Sequence, residues 1–182
     1  VGELGWELHH PIEMQNYIFD QVMEAGAEFD IKPFGIRAMD SMRLEKSYRL
    51  IPREMSIEYS AFESGLDRFV RFDKEDDFIG KAALEAWQKR GSDNGFVTME
   101  VLGVVDADAR GSEAIYKDGE VVGRGTSGGY GWRCGKSLAL GLVRVELAKV
   151  GTELEIEILG KKYQAIVIEE SPFDPKHECL RS

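Results

Sequence analysis

Apolar residues recur along this chain with two different periods. Before position 90 they return every three or four residues, as on one face of a helix, and the clearest series is Met14, Ile18, Val22 and Ala25. After position 95 they alternate with polar residues, as in "TELEIEILG" (152–160), which is typical of a strand with one buried face. The change of period falls at "KRGSDNG" (89–95), a linker by composition. The pattern therefore predicts an α/β portion followed by an all-β portion, with the break near 90–95.

Three helices are predicted before the break, over about 12–26, 34–46 and 79–89. Pro11 suits the first turn of the first helix, Gly26 suits its end, and Asp77 can cap the third helix. The spacing in the second helix predicts an apolar side and a polar side. The apolar side carries Phe34, Met39 and Met42, and the polar side carries Arg37, Asp40, Arg43 and Glu45.

Five or six strands are predicted after the break. They cover 96–103, both sides of the Asp118-Gly119 pair, 137–145, 152–160 and 163–170. Asp-Gly between two apolar-polar runs favours a tight primed hairpin turn. Short strands at this spacing predict a small antiparallel barrel or sandwich.

The first residues, "GELGWELHH" (2–10), also alternate. Leu4, Trp6 and Leu8 would share one face of a strand, and Glu3 and Glu7 would share the other. Solvated glutamates are one interpretation of the polar face. The other is a carboxylate that accepts two parallel N–H donors from a planar heterocycle such as a pterin or a guanine, with Gly5 allowing a flat ligand close to the backbone.

Composition and charge narrow the classes of function. The 182 residues carry a formal net charge of −10, which opposes non-specific binding to nucleic acid or to an anionic membrane. No apolar run approaches the length of a membrane span, and no signal peptide is visible, so a cytoplasmic location is expected. The chain lacks an initiator Met and opens on a predicted strand, which suggests a piece of a longer polypeptide.

Motifs for phosphate and metal binding are not supported. "CGKS" (134–137) lacks the first glycine of a phosphate-binding loop, since Tyr130 stands there, and it precedes a predicted strand rather than a helix. The three histidines and two cysteines show no metal-ligand spacing, and no nucleophile–base set can be assembled. We therefore predict neither a metal site nor a nucleotide site.

An ordered set of motifs carries a family resemblance. The chain contains "GELGWE" (2–7), "GIRAMDSMRLEKSYR" (35–49), "FESGLDRFV" (62–70), "DFIGKAAL" (77–84), "GRGTSGGYGWRCGKSLALGLV" (123–143) and "SPFDP" (171–175). In this order they resemble the C-terminal half of the aminomethyltransferase (glycine-cleavage T-protein) family. "IPRE" (51–54) and "TSGGYG" (126–131) are similar to the folate-binding regions of dimethylglycine and sarcosine dehydrogenases.

The resemblance implies an α+β fold in two parts. Residues 1–92 would be the remnant of the folate-binding α/β lobe, and residues 93–182 would be a small antiparallel β-barrel domain. It also implies tetrahydrofolate as cofactor, a small N-methylated amine as one-carbon donor, and FAD only if an oxidoreductase domain lies upstream in the same polypeptide. In a eukaryote the resemblance implies the mitochondrial matrix.

The resemblance assigns cofactor-binding residues and leaves the catalytic residue outside the chain. Glu7 would bind the edge of the pterin, and Leu8 and His9 would lie beside the pterin. The family arginine on the second helix is replaced by Met39, and Arg37 either reaches the folate tail or only pairs with Asp40 at i+3. The family's catalytic aspartate would lie upstream of residue 1, so we expect the isolated chain to be inactive.

The expected function is the C-terminal portion of a tetrahydrofolate-dependent one-carbon transferase of the demethylating-dehydrogenase kind. Two alternatives stay open on the sequence. One is a non-enzymatic folate-binding or assembly module, and the other is a folate-dependent demethylase of a sulfonium compound.

Overall fold

A six-stranded barrel forms the second half of the molecule. The computed structural model describes residues 1–181. All pairings in the barrel are antiparallel, and the strands close in the order β1-β4-β3-β2-β5-β6. The strands are β1 (Asn94–Val101), β2 (Ala114–Lys117), β3 (Glu120–Gly131), β4 (Lys136–Arg144), β5 (Glu153–Ile158) and β6 (Lys161–Ile168). The antiparallel barrel expected for this half is confirmed.

The barrel core follows from the two-residue period of its strands. Leu154, Ile156 and Ile158 of β5 point inward and are buried, as the alternation predicted. They pack with Met99 and Ile115, which have no exposed surface. Closure leaves these strands without a free edge that could pair with another chain.

The predicted hairpin turn is also confirmed. Asp118 and Gly119 join β2 to β3 with φ values of 52° and 83°. Two successive positive φ values define the primed turn, whose twist matches that of the flanking strands.

Three helices precede the barrel, as predicted, and a short fourth one lies near the end. They are α1 (Gln15–Gly26), α2 (Ile36–Glu45), α3 (Lys81–Arg90) and α4 (Glu178–Arg181). Asp77 does not cap α3: Gly80 precedes the helix with φ of 90°, and the Asp77 carboxylate accepts a bond from the N–H of Phe78. The long stretch between α2 and α3 is irregular, apart from a 3₁₀ turn at Asp67–Phe69.

The strand predicted over residues 2–10 is wrong. This segment forms no strand, and the side chains of Leu4, Trp6 and Leu8 are largely exposed. Alternation defines two faces, but a strand forms only where a neighbour satisfies its backbone N–H and C=O groups. No other strand lies beside this segment within residues 1–181.

The predicted faces of α2 are also wrong. Phe34 and Met39, assigned to the buried side, are exposed, whereas Arg43 and Glu45, assigned to the polar side, are buried. The helix packs on the barrel through its last turn, where Leu44 joins Leu138 and Leu140 in a second apolar cluster. Charged side chains around Leu44 stay buried because each of them meets a specific polar partner.

Among residues 1–181, no helix has the length and apolar composition that crossing a membrane requires.

Candidate functional site

A cleft of about 850 Å³ lies where α2 meets the barrel. One wall is α2, the opposite wall is the loop from β1 to β2, and the floor is the end of β3. The lining residues are Arg37, Asp40, Ser41 and Leu44 of α2, Val104–Asp108, Arg110 and Glu113 of the loop, Gly128–Tyr130 and Trp132 of the β3 end, and Ile158 with Leu159. The lining combines apolar residues with six charged ones, and a cleft of this size can hold a small polar organic ligand.

A buried polar network fixes α2 against the barrel. Ser41 Oγ donates to the carbonyl oxygen of Tyr130 at 2.6 Å. The Glu45 carboxylate, almost fully buried, accepts the backbone N–H groups of Arg133 at 2.6 Å and Cys134 at 3.3 Å. These bonds join α2 to β3 and to the turn between β3 and β4, so they fix the α2 wall against the cleft floor.

The segment after α2 is held just as firmly. Ser47 Oγ accepts bonds from Thr98 Oγ1 at 2.8 Å and from the N–H of Ser171 at 2.9 Å. The Lys46 ammonium is buried and binds the carbonyl and the carboxylate of Asp174. Burial raises the pKa of Asp174, but the N–H groups of Glu178 and Cys179 together with Lys46 outweigh it and leave that pKa below its ordinary value.

The β1–β2 loop, which forms one wall of the cleft, packs closely against β3. A side chain at Gly128 would place its Cβ 2.5 Å from the carbonyl oxygen of Ala109, so only glycine allows this approach. Glu113 accepts the backbone N–H groups of Arg110 and Gly111, both at 2.7 Å. Asp108 accepts the hydroxyl of Ser137 at 2.6 Å. The loop is therefore ordered by hydrogen bonds within itself and by one to β4.

Two aromatic rings stand at the end of β3. Tyr130 and Trp132 meet edge to face with centroids 5.0 Å apart and an interplanar angle of 74°. Trp132 remains 79% exposed and Tyr130 39% exposed. An exposed indole at the edge of a cleft offers a face on which a flat ligand can stack.

The structure separates the predicted site residues into two places. Arg37 lines the cleft, whereas Glu7, Leu8 and His9 do not. Glu7 and His9 lie 3.6 Å apart, and each side chain is 89% exposed. Leu8 is likewise exposed.

One finer expectation can be compared with the geometry. The alternative that Arg37 pairs with Asp40 is wrong: no ion pair joins them within residues 1–181, and the Asp40 carboxylate accepts Arg43 Nε at 2.7 Å instead. Glu3 forms an ion pair with Arg133, and this hydrogen bond raises the pKa of the guanidinium. Arg133 also lies over the Phe173 ring, 4.6 Å from its centroid, so Glu3 ties the first residues to the barrel.

The sequence interpretation missed the loop wall. Asp106, Asp108, Arg110 and Glu113 come from "VVDADARGSE" (104–113), which showed no periodicity. A cluster of charges between two apolar strands is the only signal that could have drawn attention to it. Within residues 1–181 no three His, Cys, Asp or Glu side chains come together as a possible metal site.

Comparison with known proteins relates both halves of the chain to one family. Residues 1–74 match the GCVT N-terminal domain, and residues 95–174 match the glycine cleavage T-protein C-terminal barrel domain. The chain belongs to the glycine cleavage T-protein family. This confirms the resemblance carried by the ordered motifs.

Individual members of the T-protein family align along nearly the whole chain. Mitochondrial dimethylglycine dehydrogenase of Homo sapiens is 43% identical over 170 residues, which are 93% of this chain and 20% of that protein. The aminomethyltransferase of Desulfitobacterium hafniense is 33% identical over 170 residues, which are 92% of this chain and 45% of that protein. The chain thus spans from a fifth to less than half of the length of these relatives.

The fold agrees with a solved T-protein. The glycine cleavage system aminomethyltransferase T of Bartonella henselae superimposes with a TM-score of 0.80 at 22% identity. The superposition covers 91% of this chain and 45% of the solved one. It supports the α+β architecture with its closed barrel.

Proposed function

We propose that this chain is the C-terminal, folate-binding portion of a tetrahydrofolate-dependent one-carbon transferase of the dimethylglycine or sarcosine dehydrogenase kind. The observation that carries the proposal is the cleft between α2 and the barrel. It occurs in a chain whose two halves match the two T-protein domains in order. The identity with dimethylglycine dehydrogenase supports the demethylating branch.

The residues at the cleft fit the chemistry of a reduced folate. A folate consists of a flat pterin, an aminobenzoyl ring and a glutamate with two carboxylates. Trp132 offers an exposed aromatic face, and Arg37 offers a cation in the same cleft. Tetrahydrofolate supplies the amine nitrogens that accept a one-carbon unit, and this chain's residues would bind and orient it.

Glu7 is proposed as the group that binds the pterin edge, with Leu8 and His9 beside it. The high exposure of this segment agrees with a site that needs further chain around it. We propose that an upstream part of the same polypeptide covers residues 2–10 and supplies the catalytic acid. An FAD domain further upstream would oxidise the N-methylated amine. Residues 1–92 and 93–182 would then act as folate lobe and barrel domain.

The location proposed for such an enzyme depends on its source. It would be cytoplasmic in a bacterium and in the mitochondrial matrix of a eukaryote. The relatives from Homo sapiens and Rattus norvegicus are mitochondrial by name, which supports the second option.

Glu7→Gln tests the pterin assignment. A shielded carboxylate that accepts two N–H bonds loses one acceptor in the amide, which then presents a donor to the ligand's donor. We expect a loss of about 3 kcal/mol, or about a hundredfold in affinity for tetrahydrofolate. The measurement is calorimetric titration of a polypeptide extended upstream of Val1. Glu3→Gln is the matched control, since Glu3 binds Arg133 instead, and its affinity should equal the parent's. Equal affinities for the parent and Glu7→Gln would remove Glu7 from the site.

The isolated chain is expected to lack transferase activity, because no residue within it is assigned as the acid that handles the amine. The assay combines the purified chain, tetrahydrofolate and N-methylated amines, and it follows methylene transfer. Turnover by the chain alone would contradict the proposal. An upstream-extended polypeptide that binds tetrahydrofolate but transfers nothing would favour the non-enzymatic binding module. Turnover with a sulfonium donor would favour the third candidate.

A further inference from the structure

We propose that the C-terminal motif "SPFDP" (171–175) is a positioning element that fixes where the Glu7 carboxylate lies. It acts through Lys46 and Arg133, each of which contacts the motif on one side and residues 2–3 on the other. The inference rests on the proposed function, since Glu7 is the proposed pterin ligand. It gives a role to a motif at the opposite end of the sequence from Glu7.

The motif is bound to the end of α2. The Ser171 hydroxyl donates to the carbonyl oxygen of Lys46 at 2.8 Å. The N–H of Phe173 donates to the carbonyl oxygen of Glu45 at 3.0 Å. The Lys46 ammonium, on a side chain only 1% exposed, binds both the carbonyl oxygen and the carboxylate of Asp174. Because a buried cation without its anion is strongly destabilising, the Lys46–Asp174 pair fixes the motif in place.

Residues 2–3 rest on the same cluster. Gly2 has φ of +75°, and a Cβ there would lie 2.5 Å from Cγ of Lys46, so only glycine allows this close packing. Glu3 forms an ion pair with Arg133, whose guanidinium lies 4.6 Å from the centroid of the Phe173 ring. Two separate contacts therefore attach the first residues to the cluster, and both lead back to the motif.

This anchor confines Glu7. Glu7 follows Glu3 by four residues, and an extended chain of that length spans at most about 14 Å. The Glu7 side chain is itself 89% exposed, so its position depends on where Glu3 is held. A carboxylate confined in this way loses less conformational entropy when it binds a ligand. Loss of the anchor should weaken binding without altering any group that touches the pterin.

Backbone NMR relaxation on this 182-residue chain tests the anchor in the absence of folate. In the parent, the Glu3 N–H should have an order parameter of about 0.8, as in a held backbone. Arg133→Met and Asp174→Asn should each lower it below about 0.6, while the barrel strands keep the parent's values. Arg124→Met and Asp73→Asn are the matched controls, because they remove the same charges from exposed ion pairs elsewhere and should leave Glu3 unchanged.

Two results would overturn the anchor. One is a Glu3 order parameter already below about 0.6 in the parent, and the other is a value that Arg133→Met does not lower. Arg133→Met is decisive even if Asp174→Asn fails to fold, because the Arg133 side chain is 36% exposed and its replacement breaks no buried ion pair.

Calorimetric titration of the polypeptide extended upstream of Val1 tests the consequence for tetrahydrofolate. Arg133→Met and Glu3→Leu should each weaken binding about three- to fivefold, in line with a partly exposed ion pair. Their double variant should bind no more weakly than either single one, because both changes break the same contact. Glu3→Gln keeps an oxygen that accepts from Arg133, and Arg133→Lys keeps the charge, so both should bind as the parent does. A merely structural effect would not follow this pattern of rescue.

The failure of the positioning role and the failure of the proposed function are distinguishable. Tetrahydrofolate binding that depends on Glu7 but is equal in the parent, Arg133→Met and Glu3→Leu would retain the folate function and remove the positioning role. Absence of tetrahydrofolate binding by the extended parent would remove the proposed function itself, whatever the mobility of Glu3.

Discussion

Glu54→Leu is expected to lower the free energy of unfolding by about 4 kcal/mol, the range for breaking a buried charge pair. Glu54 has no exposed surface. Its carboxylate accepts the Thr126 hydroxyl at 2.6 Å and the Leu50 N–H at 2.8 Å, and it lies 4.0 Å from the Arg43 guanidinium. Leucine would leave the buried Thr126 hydroxyl and the part-buried Leu50 N–H without this acceptor, and it would leave the buried Arg43 cation with less neutralisation.

Urea unfolding followed by circular dichroism measures this effect, with melting temperature as a second measure. For a chain of this size the expected loss corresponds to a melting temperature lower by about 10 °C. Glu58→Leu is the matched control, because Glu58 pairs with Arg124 at an exposed position, and it should cost less than about 1 kcal/mol. Similar losses in the two variants would show that the Glu54 network does not stabilise the junction.

Arg49→Met is expected to destabilise the protein by about 3 kcal/mol. The Arg49 side chain is 3% exposed and forms a bidentate ion pair with Glu170. It also donates to the carbonyl oxygens of Ser47, Ser64 and Gly65, and its guanidinium lies 3.8 Å from the centroid of Phe96. Methionine fills much of the same volume but satisfies none of these acceptors.

The chain offers a matched comparison at the same carboxylate. Arg68 Nη1 lies 3.7 Å from Glu170, but the Arg68 side chain is 55% exposed. Arg68→Met should therefore change the free energy of unfolding by less than about 0.5 kcal/mol. If Arg68→Met destabilised as much as Arg49→Met, the effect would come from the charge of Glu170 rather than from the buried bonds of Arg49.

The hydrogen-bond networks of Glu54 and Arg49 affect function because they set the position of α2. Arg43 lies within the cleft-lining part of this helix, Glu45 and Ser47 come directly after it, and all three are buried. Loosening this junction would move Arg37 relative to Arg110. Destabilised variants should therefore also bind tetrahydrofolate more weakly, even though the altered residues lie outside the cleft.

The barrel could be predicted well from local patterns. The alternation of Leu154, Ile156 and Ile158 specifies which face of β5 is buried, and Asp118-Gly119 specifies the hairpin turn. These features require only near neighbours in sequence. The helices before the barrel follow in the same way from their spacing and from the prolines and glycines at their ends.

The candidate site could be predicted only in part. Arg37 was identified from the family resemblance, as the arginine near the position that Met39 occupies, and it does line the cleft. Arg110 was not identified because its segment shows no hydrophobic periodicity and no recognisable motif. The assignment of Glu7, Leu8 and His9 came from family resemblance, and the structure places them apart from the cleft, so it remains a prediction.

The sequence by itself determined the order of the elements, the inward faces of the strands and the family. Tertiary structure decided which charges are buried. Along "RLEKSYRLIPRE" (43–54) the local pattern is that of a solvated surface, yet Arg43, Glu45 and Glu54 are buried. Thr126 and Arg133, which are distant in sequence, satisfy Glu54 and Glu45, whereas Arg43 binds Asp40 and the Tyr48 carbonyl oxygen nearby. Tertiary structure also decided that residues 2–10 do not form a strand. A segment with alternating side chains becomes a strand only beside a neighbouring strand that completes its backbone hydrogen bonds. The cleft exists for the same reason: its walls come from four separated stretches of chain, and only the closed barrel brings them together.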